Sequence, residues 1–240
     1  MKTDCWTNDE LRSELDNFLD FYADAPLDNN HGGGLTVNNF YVYFTLKKLS
    51  PTHIIESGVF QGQGTWMIEK LLPEAKVVCI DPFLEQVRYK SDKAKYTTQD
   101  FLSFTNDHIS KERAANTFIY FDDHQDQYER LKHAYNLGFK HLLWDDDYPE
   151  FKGRRHLSLQ ACLNNEADPG FNIPFGSGDD IKSKIDEFFV FPPITKHEEP
   201  VSMEESVITG TPILESVEDK HKMYQEDMHN YRWTTYTKLK

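Results

Sequence analysis

Three groups of residues have the types and spacing to do chemistry. The first is Glu56-x-Gly58-x-x-x-Gly62-x-Gly64, with Asp81 further on. Glycines let a backbone approach a ligand and take positive φ. An acid placed like Asp81, at a strand end, can accept hydrogen bonds from both hydroxyls of a ribose. The other two groups are Asp122-Asp123-His124-Gln125-Asp126 and Asp145-Asp146-Asp147-Tyr148-Pro149. Carboxylates gathered in one place repel each other, so something cationic should compensate. Hard divalent ions such as Mg²⁺ take such oxygen ligands. Aspartates also favour turns and helix caps, so the same runs fit a set of solvated turn residues. His124 adds a group that titrates near neutrality.

Periodicity gives the elements that must position these groups. His53-Ile54-Ile55 is a β-branched run that ends in Glu56. After the glycine turn, Trp66, Ile68, Leu71 and Leu72 mark a helix over 65–72. Val77-Val78-Cys79-Ile80 is a second apolar run, ending in Asp81. Strand, turn, helix, strand is the βαβ unit. Thr117-Phe118-Ile119-Tyr120-Phe121 is a strand that leads into the first aspartate run. A helix over 128–137 follows, with Leu131, Ala134 and Leu137 inward and Gly138 as its C-cap. A strand over 140–144 leads into the second aspartate run. Parallel neighbours would bring both runs to one carboxyl edge, where open α/β sheets place their ligands.

The glycine spacing separates the ligands. A dinucleotide fingerprint read from Gly62 needs its third glycine where Met67 stands, and no G-x-x-x-x-G-K-[ST] is present. The stretch instead resembles motif I of the Rossmann-like (class I) S-adenosylmethionine (SAM) methyltransferases. The resemblance implies an α/β fold with a mostly parallel seven-stranded sheet, an antiparallel last strand and helices on both faces. It implies SAM as cofactor, with Glu56, Gly58, Gly62, Gly64 and Thr65 along its methionine part. Asp81 would hold the ribose, and Gln99 or Asp100 would lie near the adenine. Asp123 and His124 would be cofactor neighbours.

Phe121-Asp122-Asp123-His124 and Leu142-Leu143-Trp144-Asp145-Asp146 are similar to the strand ends of metal-dependent O-methyltransferases of the catechol and macrolide-sugar types. That likeness carries ligand roles for Mg²⁺ or Mn²⁺ to Asp123, Asp145 and Asp146. Asp122 and Asp147 replace their neighbours if the register shifts by one. The spacing between the two clusters is shorter here than in the family. Where the catechol type has a lysine base, this chain has Gln125, Asp126 and Gln127. The base is then His124, His156 or an aspartate, Asp145 among them. The expected reaction is methyl transfer to a hydroxyl of a small diol, a sugar before a catechol-like phenol, with Trp144, Tyr148 and Phe151 placed to stack on it. The alternatives are a metal-independent methyltransferase whose Asp145–Asp147 run is structural, and a non-catalytic module that binds SAM, a nucleotide or a protein partner.

The rest of the chain is consistent with one domain over 1–240: a helical cap over 1–50, a cofactor and metal core over 51–150, and acceptor-side loops and strands over 151–240. The net charge of −14 opposes a nucleic-acid partner. The three cysteines have no metal or disulfide spacing and suit a reducing, cytoplasmic setting. No signal peptide and no membrane span of the usual ~18 apolar residues is expected. A homo-oligomer is compatible with all of this. A capping box at Thr7 and Glu10 opens a helix over 7–22. A glycine loop follows, with His31 and Asn38 as candidate site neighbours, and then a helix over 37–49. Residues 83–94 read as a short helix or loop, 96–104 as holding the third strand and 105–115 as polar helix or loop. A helix over 157–163, a loop over 164–180, a strand over 188–191, loop plus helix over 195–222 and a last strand over 231–237 complete the reading.

Overall fold

A computed structural model describes residues 1–27, 34, 36–149, 157–164, 173–196, 210–227 and 233–240. His31, Phe151 and His156 lie outside the described residues.

The elements in chain order are α1 (Asn8–Arg12), α2 (Leu15–Tyr22), α3 (Thr36–Leu49), β1 (His53–Ser57), α4 (Gln63–Leu71), β2 (Lys76–Ile80), β3 (Lys95–Thr97), α5 (Lys111–Ala115), β4 (Thr117–Phe121), α6 (Gln127–Leu137), β5 (His141–Trp144), α7 (Leu159–Asn164), α8 (Ser177–Lys184), β6 (Ile185–Val190), α9 (Lys222–Asp227) and β7 (Thr235–Leu239). The strands form one seven-stranded sheet in the order β3-β2-β1-β4-β5-β7-β6. β1 to β5 are parallel to their neighbours, and β7 runs antiparallel between β5 and β6. This is the mixed α/β architecture expected from the sequence. The strand order reverses between β1 and β4, and such a switch point opens a crevice at the carboxyl edge.

The pleat sorts side chains between two cores. Ile54, Phe118, Tyr120 and Leu143 face a layer made by α1 to α4 and α9. Ile55, Ile119, Phe121, Leu142 and Trp144 face the layer of α5 to α8. In α3 all ten residues from Val37 to Leu46 are buried. A helix buried on every side belongs to a core rather than a surface, and its polar Asn38 and Asn39 are hydrogen-bonded there.

Local chemistry sets the boundaries, and several differ from the sequence reading. The capping box at Thr7 and Glu10 is present, but α1 stops at Arg12. Ser13 Oγ donates to the Glu10 carbonyl at 2.7 Å and ends the turn there. The region read as a loop over 164–180 contains the start of α8, opened by Gly176 in the left-handed conformation. Ile181 is the only apolar residue of α8, so no hydrophobic stripe announces it. Its Gly178 has a sequence-specific reason: a Cβ there would lie 2.8 Å from the Cys162 carbonyl of α7. The last strand begins at Thr235 and not at 231, because Trp233 has φ of 31° and breaks the extended run. All three cysteines are free. Among the described residues no helix is long and apolar enough to cross a membrane.

Candidate functional site

Strand register builds the site. Ser57, Ile80, Phe121 and Trp144 are in line across β2, β1, β4 and β5. The next residue of each strand therefore stands at the same edge: Gly58, Asp81, Asp122 and Asp145. Among the described residues, four of the five non-glycine residues with positive φ are also found along this edge or its closing loops: Phe60, His124, Asp146 and Trp233. Such backbone is uncommon outside sites that require it.

The glycine turn fits closely between its neighbours. Gly58 has φ of 95°, and a Cβ on it would sit 2.1 Å from the Asp122 carbonyl oxygen. A Cβ on Gly64 would sit 2.2 Å from Glu56 Oε1. Gly62 also has φ of 95° and opens α4. Asp81 Oδ2 accepts from the amides of Val59 and Phe60, both at 2.9 Å, and Oδ1 accepts from Phe83 N at 2.8 Å. Asp81 thus shapes the turn directly. With a single N–H on it, Oδ1 keeps a lone pair for a further donor.

Beneath the turn, Glu56 is buried. Thr65 Oγ1 donates to its Oε2 at 2.5 Å, and the Cys79 thiol donates to the same oxygen at 3.4 Å. Burial still dominates and pushes the Glu56 carboxyl up to about 7. Glu56, Gly58, Gln63, Gly64, Tyr120 and Asp122 line a small open pocket, with Gly34 and Asn39 also in its lining. Gln63 is 4% exposed, and neither its amide nitrogen nor its amide oxygen has a hydrogen-bond partner among the described residues. A buried carboxamide left bare on both atoms is costly unless a ligand or water completes it.

The aspartates divide by the same alternation that divides the cores. Asp122 has the parity of Tyr120, and Asp145 that of Leu143, so both belong to the α3 side. Asn38 Nδ2 of α3 donates to Asp145 Oδ1 at 2.7 Å and to Thr234 Oγ1 at 3.0 Å. Desolvation, with Asp145 and Asp146 nearby, raises the Asp122 carboxyl well above the ordinary range. Asp123 has the parity of Phe121 and turns to α6. There the buried Arg130 donates through Nε to its Oδ1 at 3.1 Å and lies 2.9 Å from its Oδ2. Ser57 Oγ also donates to Asp123 Oδ2, at 2.5 Å. The same guanidinium pairs with Asp100 Oδ2 at 2.8 Å and holds that carboxyl below its usual range. Asp146 is buried; His124 Nε2 lies 2.9 Å from its Oδ2 and Tyr148 Oη donates to its Oδ1 at 2.8 Å. Asp147 points away from the edge, where its Oδ1 accepts from Gln160 N at 3.0 Å in the first turn of α7.

The structure thus brings together Glu56, the glycines, Thr65 and Asp122, and joins His124 to Asp146. It does not bring Asp123 together with Asp145 and Asp146, because Arg130 and Ser57 engage Asp123. Among the described residues no group of three or more His, Cys, Asp or Glu is disposed to hold a metal ion. Gln99 is exposed at the end of β3, its amide donating to Thr97 Oγ1 at 3.0 Å. Trp144 cannot stack on an acceptor, since it is fully buried against Phe121 and donates to Thr237 Oγ1. Tyr148 is likewise buried, against Trp233. Sequence reasoning missed Gln63 and Arg130. The signal for Gln63 was its place at the first position of the helix after the glycine turn. For Arg130 it was a lone cation on the inward face of α6.

No protein-family model matches the chain, and no curated protein sequence matches it. Solved structures give likenesses of shape. An O-methyltransferase from Bacillus cereus in complex with S-adenosylhomocysteine (SAH) is 11% identical, over 98% of this chain and 92% of that one, with a TM-score of 0.45. An SAH-bound methyltransferase from Podospora anserina is 13% identical, over 77% and 83%, with a TM-score of 0.43. The Mg-SAM form of CmcI is 18% identical, over 61% and 69%, with a TM-score of 0.38. With every TM-score below 0.5, we take the fold from the strand order and the chemistry from the site.

Proposed function

We propose that this protein is a SAM-dependent methyltransferase that acts on a hydroxyl of a small acceptor. The observation that carries the reading is the pocket under the glycine turn, where buried Gln63 offers an unpaired donor and an unpaired acceptor beside Glu56. SAM has an amino-acid end with a carboxylate and an ammonium, and its sulfonium carries an activated methyl group. Gln63 Nε2 and the first amides of α4 suit a carboxylate. Gln63 Oε1 and Glu56 suit an ammonium, and a cation there would favour the ionised form of Glu56. Asp81 Oδ1 has an acceptor position for a ribose hydroxyl.

The chain's own residues supply the rest. The glycine turn excludes side chains from the cofactor surface, and α3 covers the edge through Asn38 and Asp145. His124, oriented by Asp146 and Tyr148, is the group we assign to take the acceptor proton. For a divalent ion the fit is poor, since Asp123 is engaged by Arg130 and Ser57, and Asp146 by His124 and Tyr148. A base-assisted route needs no ion. A sugar or catechol-like diol remains our acceptor proposal, supported by the resemblance of the two strand ends alone.

Calorimetric titration of the full chain with SAM, with EDTA and then with Mg²⁺ or Mn²⁺, tests the reading. Micromolar binding that weakens at least about ten-fold in Gln63→Ala supports it. Absence of binding under every condition refutes it. A heat of ion binding that is lost in Asp145→Ala would restore the metal.

A further inference from the structure

The carboxylates along the sheet edge are unequally compensated. Asp123 has the buried Arg130 guanidinium at 2.9 Å. Asp146 has the His124 imidazole at 2.9 Å. Asp81 is held by three backbone amides. Asp145 takes the Asn38 amide at 2.7 Å and lies near the Thr234 hydroxyl, at 3.3 Å. Asp122 lines the pocket and shares a hydrogen bond with Asp145, and among the described residues no cation lies within ion-pair distance of it. Asp145 and Asp146 beside it add negative field to the same place. The pocket also contains Glu56, and Gln63 faces it as an unpartnered buried carboxamide. The pocket therefore lacks positive charge as well as hydrogen-bond partners, and a ligand that completes it should bring both.

We infer that Asp122 reads the positive charge of the ligand, so that the site binds SAM, whose sulfonium is cationic, in preference to SAH, whose thioether is neutral. This rests on the reading of the pocket as a SAM site. SAM and SAH differ by one methyl group and one charge, and their remaining groups are the same. Hydrogen bonds from Gln63, Asp81 and the glycine turn are therefore shared and cannot separate the two. A buried carboxyl can, because a cation beside it favours its ionised form, and the charge pair so formed is worth far more near a protein surface than in bulk water. The consequence is a product that leaves readily once the methyl group and its charge have gone to the acceptor.

The experiment is a calorimetric titration of the full chain with SAM and with SAH in EDTA-treated buffer, on wild type, Asp122→Asn and Asp122→Glu. The expected result is SAM at least about ten-fold tighter than SAH in wild type, which corresponds to about 1.4 kcal/mol. In Asp122→Asn the ratio should fall to within about two-fold through loss of SAM affinity, with SAH little changed. Asp122→Glu should keep most of the preference. A wild-type ratio near one overturns the inference while leaving the SAM reading intact, and so does a ratio that persists in a folded Asp122→Asn. A preference that appears only when Mg²⁺ is added assigns the effect to an ion and also overturns it. Absence of both SAM and SAH binding refutes the SAM reading itself. Should Asp122→Asn fail to fold, as judged by its thermal transition, the wild-type ratio and the Asp122→Glu ratio decide.

Discussion

Asp147→Asn should make the protein's stability less sensitive to rising pH between about 5 and 7, and the size of the effect follows from its surroundings. Asp147 is completely buried. Its Oδ1 accepts from Gln160 N at 3.0 Å, and the Thr235 hydroxyl also faces the carboxyl. Burial pushes this carboxyl from 3.8 up to about 7, against the opposing pull of the Gln160 amide and the Thr235 hydroxyl. The sign is fixed by proton binding. Between these two values the folded state holds a proton that the unfolded chain has released, so stability falls as pH rises. The contribution is fully present below the unfolded value and is lost as pH approaches the folded one. The slope is about 1.4 kcal/mol per unit well below the folded value and flattens near it, so wild type loses about 2 kcal/mol between pH 5 and 7 relative to a variant that does not titrate. Asparagine has the same shape, keeps the acceptor for Gln160, and gives its new amide the Thr235 hydroxyl as an acceptor. The assay is urea unfolding followed by tryptophan fluorescence at pH 5, 6, 7 and 8. The quantity is the difference between variant and wild type, which cancels groups common to both. Those include His53 and His141, whose lowered values give a slope of the opposite sign. A difference that is flat from pH 5 to 8 would refute the assignment of Asp147 as a buried, mainly neutral acid.

Two further outcomes test the edge. Arg130→Met removes the cation shared by Asp123 and Asp100, and it should cost about 3 kcal/mol, read as a lower midpoint in thermal unfolding. An unchanged midpoint would mean that the pairing contributes nothing. Gly138→Ala and Gly58→Ala both place a side chain at positive φ, yet they should differ sharply. The Gly138 site is open, with no atom nearer than 3.7 Å to the added carbon, so the cost is the backbone term of about 1 kcal/mol. At Gly58 the Asp122 carbonyl oxygen would be 2.1 Å away and must move, so the loss should exceed that at Gly138 severalfold and SAM binding should go with it. Equal stability of the two variants, by the same unfolding assay, would contradict the close approach of β1 and β4.

The frame of the fold was legible because local and long-range preferences agree in it. The Thr7 capping box, the Gly138 C-cap and the five strands that end in Glu56-Ser57, Asp81, the aspartate runs and the last aromatic segment could each be read from a few residues. Elements without a local signature escaped. α8 has one apolar residue and buries itself through Gly178 against α7, which no periodicity reveals. The positions of Gln63 and Arg130 depend on what faces them, and in each case the facing group comes from a distant part of the chain. Asp100 is contributed by the turn after β3, and Asn39 by α3.

The aspartate pair shows where more could have been read. Alternation along β4 puts Phe118 and Tyr120 on one face and Ile119 and Phe121 on the other. Continuing it by two residues puts Asp122 with Tyr120 and Asp123 with Phe121. Along β5 the same rule puts Asp145 with Leu143, and along β1 it puts Glu56 with Ile54. Thus Glu56, Asp122 and Asp145 share the side covered by α3, while Asp123 faces α6, where Arg130 stands. The likeness to other strand ends pointed to Asp123, but a period of two residues decides for Asp122. One consequence follows for the chemistry. The guanidinium neutralises the aspartate on the α6 side, whereas Glu56 and Asp122 on the α3 side have no cation within ion-pair distance among the described residues. On the proposed reading, a ligand that enters there is favoured if it is positive, which is the property that would separate the sulfonium of SAM from the thioether of SAH.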